Sequence, residues 1–153
     1  MALGIEERAS LAWVGLLRLA LGALFLLGAV LKLRSGFAGP ALVTQLGEWR
    51  TSGKTFSFFD RELHALVLPH AVAFARLVVA GEAVAGLSLL FGVGARAGAL
   101  LAIVLGAAYF LASRQAIDVF VVLIALAVLA TAGGRALGFD GAIRARRPKW
   151  FLG

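Results

Sequence analysis

The chain has 153 residues, 61% of them hydrophobic and only 15% charged, with a mean hydropathy of +0.96. A soluble domain carries roughly 25% charged residues, so the composition excludes an ordinary water-soluble globule and points to a membrane protein. Cysteine is absent, which removes disulfides, thiol redox chemistry, thiolate-held iron–sulfur clusters and the usual structural zinc sites. The net charge of +7 is concentrated at span ends and in the tail, where it suits lipid headgroups rather than nucleic acid.

Residues 1–10 read as a polar leader with Glu6, Glu7 and Arg8. They lack the basic start and small-residue cleavage site of a secretory signal, so the apolar run that follows is expected to be retained. The first span covers 11–33, with Arg18 inside it and Lys32 and Arg34 closing it, both able to snorkel to the interface. Gly15, Gly22 and Ala29 recur every seven residues and form a smooth stripe on which another helix can pack closely.

Residues 35–67 form the one long connection. Pro40 can open a short helix, on which Leu42, Leu46 and Trp49 share a face suited to an interfacial segment. Thr51, Ser52 and Gly53 mark a turn, and Ser57 with Asp60 is a weak helix start. Phe56, Phe58 and Phe59 are placed at headgroup depth. The segment reads either as a lid over one end of the helices or as a plain interfacial anchor.

Pro69 begins the second span, 69–92, which carries Arg76 and Glu82. A turn of only a few residues leads to the third span, 95–112, so the two form an antiparallel hairpin. Gly94, Gly98, Ala102 and Gly106 repeat every four residues and argue tight helix packing. The fourth span is 117–137, followed by GGRALGFD and a tail with Arg144, Arg146, Arg147, Lys149, Trp150 and Phe151, which together make an interfacial anchor. No internal repeat, low-complexity tract or second domain stands out. The expectation is one all-α integral membrane domain over 1–153, an antiparallel four-helix bundle with an interfacial helical loop between spans one and two. The dense basic tail favours both termini in the cytoplasm, with 35–67 outside.

At 1.5 Å per residue, Arg18 lies about 10 Å from the start of span one, and Glu82 about 10 Å from the far end of span two. Matched by span ends, the two share a depth and are expected to pair. Two polar layers follow: Arg18, Glu82, Arg96, Arg135 and Asp140 towards the termini, and His70, Arg76 and Asp118 towards the long loop, with Asp60, His64 and Tyr109 as neighbours of Arg76. Each layer reads as an ion-pair network fixing helix register; Glu82 also reads as a proton-accepting carboxylate or headgroup site for a hydrophobic ligand. His64 and His70 are six residues apart, whereas joint metal ligation on one helix uses an offset of four, so no metal site is expected. The sequence contains no phosphate-binding loop, nucleophile elbow or zinc-protease motif.

Three motifs, LLRLALGALFLLGAVLKL (16–33), LPHAVAFARLVVAGEAVAGLSLLFGVGAR (68–96) and GGRALGFD (133–140), give the chain its resemblance. By their order and spacing it resembles the DoxX family of small four-span bacterial membrane proteins, in particular the branch related to the DoxD subunit of thiosulfate:quinone oxidoreductase. The resemblance implies recurring polar positions at Arg18, Lys32, Glu82, Arg96, Arg135 and Asp140, a bacterial inner-membrane location, and a link to redox or quinone systems. Two functions stay open. One is a redox-linked subunit whose polar-lined pocket takes a quinone or similar lipid-soluble molecule, with a catalytic partner subunit supplying the electrons. The other is a non-catalytic structural or assembly subunit that binds its neighbours, or further copies of itself, through the smooth helix faces.

Overall fold

The computed structural model describes residues 3–131, and among these residues no strand occurs. Six α-helices follow in order: α1 (Leu3–Arg34), α2 (Leu42–Thr51), α3 (Ser57–Glu62), α4 (Ala71–Phe91), α5 (Ala95–Ser113) and α6 (Ala116–Ala130). The backbone of residues 3–10 already belongs to α1, so the stretch read as a leader continues the first helix. Among the described residues, three stretches are long and apolar enough to cross a membrane: Trp13–Arg34, the helical run Ser57–Phe91, and Ala95–Ser113. The second starts well before Pro69, because a π-helical turn (Leu63–Val67) and a 3-10 turn (Leu68–His70) carry the chain helically into α4. Pro69 falls in the first two positions of that 3-10 turn, where its missing donor costs little. α6 is apolar over 15 residues and ends at Ala130, and residues 132–137 of the expected 117–137 span lie outside the described residues.

α1 packs on α4, α4 on α5, α5 on α6, and α6 returns to α1. Small side chains recur at the contacts: Ala75, Ala85, Ala99, Ala102 and Ala125 are completely enclosed, alongside the larger Leu21, Phe25, Leu89 and Val128. Leu16, Leu24, Leu31, Leu77, Leu100 and Leu123 are exposed instead. In water this arrangement would waste the larger apolar side chains. In a bilayer, lipid tails solvate leucine as well as another helix does, and helices associate where small residues let them approach.

α1 and α4 approach each other backbone to backbone. A Cβ added to Gly22 would stand 2.8 Å from the backbone nitrogen of Leu90, and one added to Gly86 would stand 2.8 Å from that of Leu26. Both expected stripes are therefore used within the chain. Gly98 abuts Ser88 and Leu89 of α4, and Gly106 abuts Val121 and Val122 of α6. The α4–α5 turn closes through Gly92 and Gly94, both left-handed at φ 65° and 62°, with the Ser88 hydroxyl within hydrogen-bonding reach of the carbonyls of Val93 and Gly94.

The connection after α1 is folded onto the helices. Pro40 lies within a π-helical turn (Phe37–Ala41) that leads directly into α2. Leu42 and Leu46 are buried and Trp49 is half-buried, in a cluster with Phe37, Leu63, Ala75 and Val79. The shared face read from the sequence is thus the packed face of a lid. At the far end, Thr55 donates a hydrogen bond to the Ala112 carbonyl (2.9 Å), and the Phe56 N–H donates to that of Leu111 (3.2 Å). The Arg114 guanidinium lies 4.0 Å above the Phe56 ring. Arg50 and Asp60 add an ion pair between α2 and α3.

Candidate functional site

Glu82 sits near the middle of α4 and is 3% exposed. Its Oε1 accepts a hydrogen bond from Lys32 Nζ at 2.7 Å and another from the Tyr109 hydroxyl at 2.6 Å. Three helices therefore converge on one carboxylate, and helix geometry explains how. Side chains on an α-helix lean towards its N-terminus. α1 and α5 run antiparallel to α4, so Lys32 and Tyr109 lean one way along the helix axes and Glu82 leans the other, towards them. The Lys32 ammonium also lies 5.0 Å from the centre of the Tyr109 ring and 5.6 Å from that of Phe37. These faces help to hold a cation whose side chain is 22% exposed.

The second carboxylate oxygen, Oε2, is buried and has no hydrogen-bond partner. It lies against Gly28 of α1, where an added Cβ would stand 3.5 Å away. A buried acceptor without a partner is costly in a low-dielectric interior, and one beside a cavity is poised to receive a donor from a guest. Glu82, Lys32 and Tyr109 line a cavity of about 260 Å³ together with Gln45 and Trp49 of the lid and Asp118 of α6. Asp118 accepts a hydrogen bond from the Ser113 hydroxyl at 3.1 Å. The cavity thus offers carboxylates, an ammonium with donors to spare, a phenol and an amide. That set suits a neutral guest bearing oxygen atoms that can both accept and donate.

The expected pairing of Arg18 with Glu82 does not occur. The Gly22–Gly86 contact sets the register of α1 on α4, and it brings Gly28, not Arg18, to the level of Glu82. Arg18 precedes Gly28 by ten residues, about 15 Å along the axis. It is completely buried, nearer the level of the α4–α5 turn. Arg96, in the first turn of α5, is exposed, and so are His70 and Arg76 at the other end of α4. Arg135 and Asp140 lie outside the described residues. From the two anticipated layers the structure brings together one member of each, Glu82 and Asp118, on a single cavity. It adds Lys32, which the sequence marked as a snorkelling span end, and Tyr109, which it marked as a neighbour of Arg76. Among the described residues, no three histidine, aspartate or glutamate side chains gather as a metal site would require.

A family model described as DoxX matches residues 14–114, well over half of the chain. The match includes every helix that contributes Lys32, Glu82 and Tyr109 to the cavity. No curated protein and no solved structure matches the chain. The chain belongs to the DoxX family.

Proposed function

We propose that this DoxX-family protein is a four-span subunit of a membrane redox system, akin to the DoxD-like branch, and that it holds the head of a quinone in the cavity around Glu82. The observation that carries the reading is the Lys32–Glu82–Tyr109 cluster, buried between helices and lining open space. A quinone head is neutral and carries carbonyl oxygens. Lys32 can donate to such an oxygen with the protons it does not give to Glu82, Tyr109 holds Oε1 of Glu82 with its single proton, and Oε2 of Glu82 can accept from the hydroxyl of the reduced form. Reduction of quinone to quinol consumes two electrons and two protons. The electrons come from a partner subunit; the protons pass through Glu82 and Tyr109. The rival reading, a purely structural subunit, drew on the small-residue stripes, and those are occupied by contacts within the chain.

The test is the lipid extract of the purified protein. Quinone is expected to be enriched over the surrounding membrane in the wild type, and to fall to the membrane level in Glu82→Gln and in Tyr109→Phe. Equal quinone in all three would reject the reading.

The same proposal places both termini in the cytoplasm and the α2 lid outside. The chain has no cysteine of its own, so Ser52→Cys and Gly153→Cys can each report topology with an impermeant maleimide. Only the cysteine at position 52 should react in sealed, right-side-out vesicles. External labelling at position 153 would overturn the orientation.

A further inference from the structure

A second cavity, of about 280 Å³, lies beneath the lid on the other side of Gln45, Trp49 and Tyr109, the three residues it shares with the Glu82 cavity. Its lining is otherwise almost entirely apolar, with Leu42 and Leu46 of α2 above, and Phe74 and Val78 of α4 beside Ala112 of α5. Leu66 and Ala108, both exposed, also line it, so it opens on the outer flank of the helices. That flank belongs to stretches apolar enough to cross a membrane, Ser57–Phe91 and Ala95–Ser113.

An apolar space of this kind does not hold water, because a water molecule there would find too few polar partners. Left empty, its walls would forgo dispersion contacts on one side. Hydrocarbon suits it, and hydrocarbon is what a lipid environment at the adjoining flank would supply. The hydrophobic effect does not choose between this space and the bilayer, since both are apolar. The choice is made by geometry: the space shares a wall with a polar cavity that anchors a head.

We propose that the space under the α2 lid is the tail subsite of the same ligand, an amphiphile with an oxygen-bearing ring in the Glu82 cavity and an aliphatic chain that passes Trp49 and Tyr109 and leaves between α4 and α5 at Ala108. This rests on the head-binding reading above and adds what that reading lacks, a path for the tail and a binding role for the lid. Trp49 and Tyr109 become the specificity gate, admitting a chain beside a planar ring.

Photocrosslinking in lipid nanodiscs tests it with two probes. Each is a benzoquinone bearing a decyl chain, one with a diazirine on the ring and the other with a diazirine in mid-chain. The ring probe should label peptides of α1 and α4 around Gly28 and Glu82. The chain probe should label α2 and the segment of α5 around Ala108 and Ala112. Ala108→Phe, a substitution at an exposed rim position, should cut chain labelling of α2 severalfold while ring labelling persists. Ring labelling around Glu82 with chain labelling only on outward residues such as Leu100 and Val104 would overturn the tail subsite and leave the head site standing. Unchanged chain labelling of α2 in Ala108→Phe would overturn the exit at Ala108. Absence of ring labelling around Glu82 would overturn the head reading, and the tail subsite with it.

Discussion

Gly86→Ala is expected to separate α1 from α4 and to destabilise the protein sharply, although it adds a single methyl group. The new Cβ would stand 2.8 Å from the Leu26 backbone nitrogen and 3.0 Å from the Gly22 carbonyl oxygen. Neither atom belongs to a flexible side chain, so relief requires a rigid helix to move. Overpacking of this kind costs about 1–3 kcal/mol, and the upper end applies where backbone faces backbone. Two other glycines supply the controls. Gly47, inside α2, has nothing within 4 Å of an added Cβ, so Gly47→Ala should stabilise its helix by roughly 0.5–1 kcal/mol. Gly28→Ala meets Glu82 at ordinary contact distance and should fold normally, while narrowing the space beside Oε2. Reversible unfolding in mixed micelles would rank the three. A Gly86→Ala protein as stable as the wild type would mean that the two helices are not held at this distance.

The same pair of glycines explains which parts of the fold could be read from the sequence. Hydropathy places the apolar stretches, although not the early helical start of the second, and the period of Leu42, Leu46 and Trp49 gives the packed face of α2 without deciding between a lid and an anchor. Hydropathy does not set the offset of one helix along another. Span ends can tilt and snorkel, so depth counted from an end carries an error of several residues. That error was enough to pair Glu82 with Arg18. The small residues did hold the information: packing Gly22 and Gly86 into the facing backbones puts Gly28 within about a turn of Glu82 and leaves Lys32 one turn further on, leaning back. Tyr109 follows from the next contact. Gly98 faces Ser88 and Gly81 faces Leu105, which places Tyr109 one turn past Glu82 and again leaning back. What no pattern could supply is the shape of the two cavities. Their walls come from the lid, α4, α5 and α6 at once, and only packing decides where those surfaces leave space.

Breaking the Lys32–Glu82 pair should cost different amounts depending on which partner is removed. Glu82 is 4% exposed through its side chain and Lys32 is 22% exposed. In Glu82→Gln the ammonium loses its counter-charge but can extend its long stem towards the end of α1, and the glutamine can still accept from Tyr109. In Lys32→Met the carboxylate stays where it is, held by Tyr109 alone, and has no stem long enough to reach water. Removing one member of a buried pair costs about 3–5 kcal/mol. Glu82→Gln should fall at or below the low end of that range, and Lys32→Met nearer the high end. The double variant Lys32→Met/Glu82→Gln removes both charges of the pair and should recover most of the stability, because a neutral pair of similar volume often does as well as the ions it replaces. Folding and binding then come apart. The recovered double variant should still lack quinone in its lipid extract, since neither the ammonium nor the carboxylate remains to hold a head. Unfolding midpoints and extracted quinone, measured on all four proteins, give both answers. A Lys32→Met protein no less stable than Glu82→Gln would contradict the asymmetry. A stable double variant that retains quinone would show that the pair serves helix register alone.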